Sequence, residues 1–124
     1  MASPASRVVV ALAGAAYTAT GAALLLAPHW FFEHVGDFAP YNRHYAGDAG
    51  AFSLAIGVGL LVAARRPAAH ALVVAVGAAA ALVHAANHAY DALRGDESSG
   101  ELSVLLAFAG VLVPAAVSVW KEAR

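Results

Sequence analysis

Cysteine is absent from this 124-residue chain. That excludes disulfides, thiolate metal ligation, iron–sulfur ligation and covalent c-type haem attachment, so any metal must take nitrogen and oxygen ligands. Charge is scarce as well. Charged residues make up 12% of the chain against 61% hydrophobic, about half the charged share of a soluble domain. The net charge of −1 and the lack of a basic patch exclude a nucleic-acid partner. Lys121 is the only lysine; the other basic residues are arginine, and with the abundance of alanine they suggest a GC-rich bacterial genome.

What remains is apolar, and more of it than one small domain can hide. A chain of this length is one domain, and small soluble domains leave much of their surface in water. The excess requires lipid as solvent. Four stretches have the length for it, since about 20 helical residues span a hydrocarbon core about 30 Å thick. The expected crossings run over residues 8–27, 44–64, 68–90 and 102–120. The first is longer than the apolar region of a signal peptide and continues into Leu24-Leu25-Leu26-Ala27-Pro28, which predicts an uncleaved helix. Residues 29–36, aromatic and polar behind Pro28, suit a short helix in the headgroup layer, followed by a solvated stretch from Asp37. Arg65-Arg66-Pro67 stops the second crossing, and the polar loop Asp91 to Gly100 separates the third from the fourth, where Pro114 predicts a kink. The expected fold is all-α, a membrane four-helix bundle.

Basic residues set the expected orientation. One side carries Arg7, Arg65, Arg66, Lys121 and Arg124, the other Arg43 and Arg94. The positive-inside rule places the first set, and both termini, in the cytoplasm, and the membrane is then the inner (plasma) membrane. Trp30 and Trp120 fall at opposite interfaces, with Tyr41, Tyr45 and Tyr90 in the outer belt. Small residues recur at every fourth position, Gly47, Ala51, Ala55, Gly59 and Ala63 on the second crossing and Gly77, Ala81, Ala85 and Ala89 on the third. Such stripes let backbones approach closely, and with the short connection they predict these two helices as close antiparallel neighbours. Thr18 and Thr20 are expected to bond their own helix backbone.

One polar constellation stands out. The second crossing opens with His44 and Asp48, and the third closes with His84, His88 and Asp91. Residues four apart share a helix face. Counted along the rise, Asp48 lies about 6 Å and His84 about 10 Å inside the outer ends. Ionisable groups within a span are costly and mark function. Three readings are open. The first is a metal site built from His44, Asp48, His84 and His88, suited to Zn²⁺, Fe²⁺, Mn²⁺ or Cu²⁺, with Asp91 as an outer hydrogen-bond acceptor for the imidazoles. His84-Ala85-Ala86-Asn87-His88 lacks the glutamate of a metalloprotease helix, so hydrolase chemistry is not indicated. The second is a cofactor pocket, either b-type haem held between His44 and His84 or His88, or a quinone. The third is a hydrogen-bonded helix contact with no ligand.

The layout also resembles a known group. Leu-Leu-Leu-Ala-Pro ends the first helix, Trp30-Phe31-Phe32 follows, and Arg43-His44-Tyr45-Ala46-Gly47-Asp48 leads into a glycine-rich second helix. This is similar to the small four-helix bacterial membrane proteins of the DoxX-like type. The resemblance covers most of the chain and implies a four-helix bundle, with some relatives tied to redox or thiol-stress systems; it implies no catalytic residue. The expected function is a multi-pass membrane protein that binds a transition metal on its outer side, as a redox-accessory protein. The alternative is a non-enzymatic scaffold, with membrane lipid around it and a homo-oligomer or larger membrane complex as partner.

Overall fold

In the computed structural model, which describes residues 3–36, 40–95 and 99–124, the chain is all-α. Helix α1 spans Pro4–Leu26, α2 Pro28–His34, α3 Arg43–Ala63, α4 Ala71–Arg94 and α5 Ser99–Glu122. A 3-10 turn, Pro67–His70, leads into α4. Asp37 lies outside the described residues, as do 96–98 of the loop expected before the fourth crossing.

Each boundary has a local cause. Pro4 and Pro28 open α1 and α2 at positions where an N–H would have no helical partner. The Ser3 side chain accepts from Ser6 N–H at 3.1 Å, and the Asn42 side chain accepts from Tyr45 N–H at 3.1 Å, capping α1 and α3. The third crossing runs a turn past Tyr90 to Arg94, where Gly95 at φ +81° ends it in the left-handed conformation that glycine adopts most readily. α5 continues through Pro114 as one helix.

Among the described residues, four helices are long and apolar enough to cross a membrane: Pro4–Leu26, Arg43–Ala63, Pro67–Arg94 with its 3-10 turn, and Glu101–Glu122. About a third or less of each span is buried inside the bundle. The outer face is apolar, with Leu12, Phe52, Leu72, Val83 and Val104 all well exposed. Soluble monomers rarely expose apolar patches beyond a few hundred Å². Lipid accounts for this surface, and the chain is a multi-pass membrane protein.

The helices run up, down, up, down around a core of Val10, Leu60, Val74, Leu112 and Val119 with small alanines between them. One end carries Arg7, Arg65, Arg66, Lys121 and Arg124. There the Pro67–His70 turn touches all four spans, and the Arg7 guanidinium donates to the Arg65 carbonyl just past α3. The opposite end carries α2 and five of the histidines.

The pairing of helices differs from the expectation. α3 and α4 are neighbours, but the extended close contacts run between α1 and α3 and between α4 and α5. The short connection holds α3 and α4 together near the arginine-rich end, where a Cβ built on Gly77 would lie 2.8 Å from Leu60 Cδ2. The expected stripe on α3 is covered only at its arginine-rich end, where Ala63 is in the core and Gly59 lies beside Val73. Ala51 and Ala55 are exposed, and a Cβ on Gly47 would meet nothing within 4 Å. The buried glycines are instead Gly14 and Gly21 on α1 against Gly50 and Gly57 on α3, each pair seven residues apart. A Cβ on Gly14 would lie 2.8 Å from Leu61 N, one on Gly50 2.9 Å from Leu24 Cβ, and those on Gly21 and Gly57 would strike the backbones of Leu54 and Thr18. Two antiparallel helices with glycines in register two turns apart can bring their backbones together, which in lipid is the main source of association. On α4 the expected stripe is covered at Gly77, Ala81 and Ala85.

Thr18 is drawn into this contact. Its hydroxyl oxygen is buried against the Gly57 position and has no hydrogen-bond partner among the described residues, rather than bonding its own backbone. The close approach of α3 fills the space around it.

Candidate functional site

The histidine-rich end is assembled from pairs of residues one helical turn apart, the spacing that places two side chains on one face. In α2, His29 Nδ1 lies 3.4 Å from Glu33 Oε1, and the His34 ring stacks on Trp30 with its Nδ1 2.9 Å from the Trp30 carbonyl oxygen. Tyr41 packs edge-on against His29 and beside Phe32. These contacts gather the aromatic rings of α2 and Tyr41 into one cluster.

The predicted site residues form two such pairs. His44 Nε2 and Asp48 Oδ2 are 3.6 Å apart at the start of α3, with side chains 91% and 63% exposed. At the other wall, His84 and His88 turn their rings toward each other, with centroids 4.6 Å apart and the two Nε2 atoms separated by 2.9 Å. Asp91, one turn further, accepts from Asn87 Nδ2 at 3.2 Å. Asn87 is not among the residues singled out by the spacing argument, although its offset of four from Asp91 was the available signal.

Helical phase relates the two walls. Gly77 packs on Leu60 and Gly59 lies beside Val73. His84, seven residues beyond Gly77, lies on the side of α4 turned toward α3, and Asp48, eleven before Gly59, lies on the side of α3 turned toward α4. Their faces match as expected, but the helices do not close on each other there. Asp48 and His84 remain exposed, and Phe52, one turn inward from Asp48, is 73% exposed. The close contacts between α3 and α4 lie toward the arginine-rich end, at Gly77–Leu60 and Gly59–Val73, while at the histidine-rich end each helix presents one exposed pair. Among the described residues, no three histidine, aspartate or glutamate side chains gather closely enough to hold an ion. His70 lies at the far end, away from both pairs.

The His84–His88 contact has a definite chemistry. Two imidazole nitrogens 2.9 Å apart can share one proton, one ring donating and the other accepting. The same convergence suits a metal. Two nitrogens each about 2.0–2.1 Å from an ion and about 90–110° apart at it are separated by about 2.9–3.4 Å. The pair is therefore spaced as a two-imidazole bite.

No family model, curated protein or solved structure matches the chain.

Proposed function

We propose that this protein is a four-crossing plasma-membrane protein, with both termini cytoplasmic, that binds a transition-metal ion on its outer side between α3 and α4. The observation that carries the reading is the 2.9 Å convergence of His84 and His88 Nε2, a bite preformed on a rigid helix. Two imidazoles leave positions open on an ion such as Zn²⁺, Fe²⁺, Mn²⁺ or Cu²⁺. Asp48 and His44 stand on α3 with matching phase, and an ion that drew α3 and α4 together at this end would take them to complete a nitrogen and oxygen set. Asp91, held by Asn87, lies one turn further along the same face as an outer acceptor. A redox-accessory role fits an ion with open positions facing outward.

Elemental analysis of protein purified without added metal tests this. We expect one equivalent of zinc, iron, manganese or copper per chain, and its loss in His84→Ala with the helical signal unchanged. Metal-free protein that is well folded and takes up none of these ions on dialysis would reject the reading, and a Soret band in the same sample would replace it with haem.

Orientation rests on the charge asymmetry, five basic residues at one end against Arg43 and Arg94 at the other. A reporter fused after Arg124 should be active only inside the cell. Activity outside would invert the topology and move the histidines to the cytoplasm.

A second reading is favoured by the uncovered small residues on α3. Gly47, Ala51 and Ala55 are left open by the chain's own helices, which suits a scaffold that docks another membrane helix, from a second copy or a larger complex.

A further inference from the structure

A groove of about 430 Å³ lies between α4 and α5 and opens at the arginine-rich end, with no histidine in its lining. Small-ligand sites occupy about 300–1,000 Å³, so it is large enough for a bound molecule. Its walls are apolar, including Ala79 and Leu82 on α4 and Val113 on α5, and its mouth is ringed by Trp120, Lys121 and Arg124. From Lys121 to Val113 the groove follows α5 for about 12 Å, most of the roughly 15 Å depth of one leaflet. The Arg124 guanidinium lies over the Trp120 ring, 5.7 Å from its centroid, which holds a positive charge at the mouth.

A greasy slot one leaflet deep with cations at its surface end has the charge and polarity pattern of a phospholipid with an anionic headgroup. We propose that this groove is a binding site for an anionic phospholipid of the leaflet at the arginine-rich end, one acyl chain lying between α4 and α5 and the phosphate held by Lys121 and Arg124. Charge complementarity singles out this occupant over a second protein helix. The end as a whole carries Arg7, Arg65, Arg66, Lys121 and Arg124 against Glu122 alone, and an apolar helix would leave the two cations at the mouth uncompensated. The site is independent of the metal reading.

Native mass spectrometry of the full chain in detergent tests it, with phosphatidylglycerol and phosphatidylcholine of identical chains. Each basic residue near a membrane surface favours anionic lipid by about fivefold, so a preference of about 25-fold for phosphatidylglycerol is expected. The double variant Lys121→Gln/Arg124→Gln should erase that preference. Ala79→Phe, at an exposed position on the groove wall, should remove retention of both lipids while helicity and thermal midpoint stay unchanged. Equal retention of the two lipids by the native chain, or undiminished phosphatidylglycerol binding in Ala79→Phe, would overturn the proposal. Inorganic phosphate that displaces the lipid at equimolar concentration would make the site one for a free anion. Lipid-free dimers that vanish in Ala79→Phe would assign the groove to a second copy.

Discussion

Gly57→Leu is expected to lower the stability of the bundle by at least about 3 kcal/mol, the upper part of the range for overpacked cores. The position leaves nowhere for a side chain to go. Its Cβ would strike the backbone and hydroxyl of Thr18, which cannot rotate away as the end of a long side chain could. Relief would require α1 and α3 to separate, which would open the neighbouring contacts at Gly14, Gly21 and Gly50 together. Gly47→Leu on the same helix supplies the control. Nothing lies within 4 Å of its Cβ position, and the change should stay within about 0.5 kcal/mol. Unfolding of both variants in the same mild detergent decides the matter. If Gly47→Leu proved the more damaging, the stripe of every fourth residue would be the true packing face and the α1–α3 pairing would be wrong.

The second large effect concerns the ion. Removing an outer partner of a metal ligand typically costs 10–100-fold in affinity. His84→Ala removes a donor outright, leaving His88 without its partner, so metal affinity should fall by at least about 100-fold. Asp48→Asn tests the facing wall separately, because the amide is a far weaker ligand than the carboxylate while its shape is retained. If the ion bridges α3 and α4, Asp48→Asn should weaken binding by about tenfold or more, and the loss should disappear in a His84→Ala background, where the bridge is gone. A titration followed by isothermal calorimetry across the four proteins reads this coupling. Additive losses would place Asp48 outside the ion's surroundings and leave the two imidazoles as the whole site.

The crossings were legible because hydropathy and length decide whether a helix can span lipid, and both are properties of a single segment. Starts and stops were nearly as clear at Pro28 and the Arg65-Arg66-Pro67 break, which act locally, whereas the loop expected from Asp91 begins a turn later, at Gly95. The choice of helix neighbours was not. In water the apolar face of a helix points inward, but here both lipid and core are apolar, so α3, rich in glycine and alanine all round, shows no preferred side. Two stripes competed on it, and the one with the longer run of small residues is covered only toward the arginine-rich end, at Gly59 and Ala63. The deciding sign was the matched seven-residue spacing of Gly14 and Gly21 with Gly50 and Gly57, which becomes informative only when two helices are compared. The same limit applies to the histidines. Spacing of four correctly placed His84 beside His88 and His44 beside Asp48. Whether two walls meet depends on how far apart the helices stand at that depth, which is set by contacts elsewhere.

The tight couplings of α1 to α3 and of α4 to α5 divide the molecule into two hairpins that lean on one another. Each hairpin is stiffened by its own seam, so relative movement is easiest along the junction between them. The imidazole pair belongs to one hairpin and the His44–Asp48 pair to the other. A ligand that gripped both would tie the two halves together at the end opposite the Pro67–His70 turn, which already joins them.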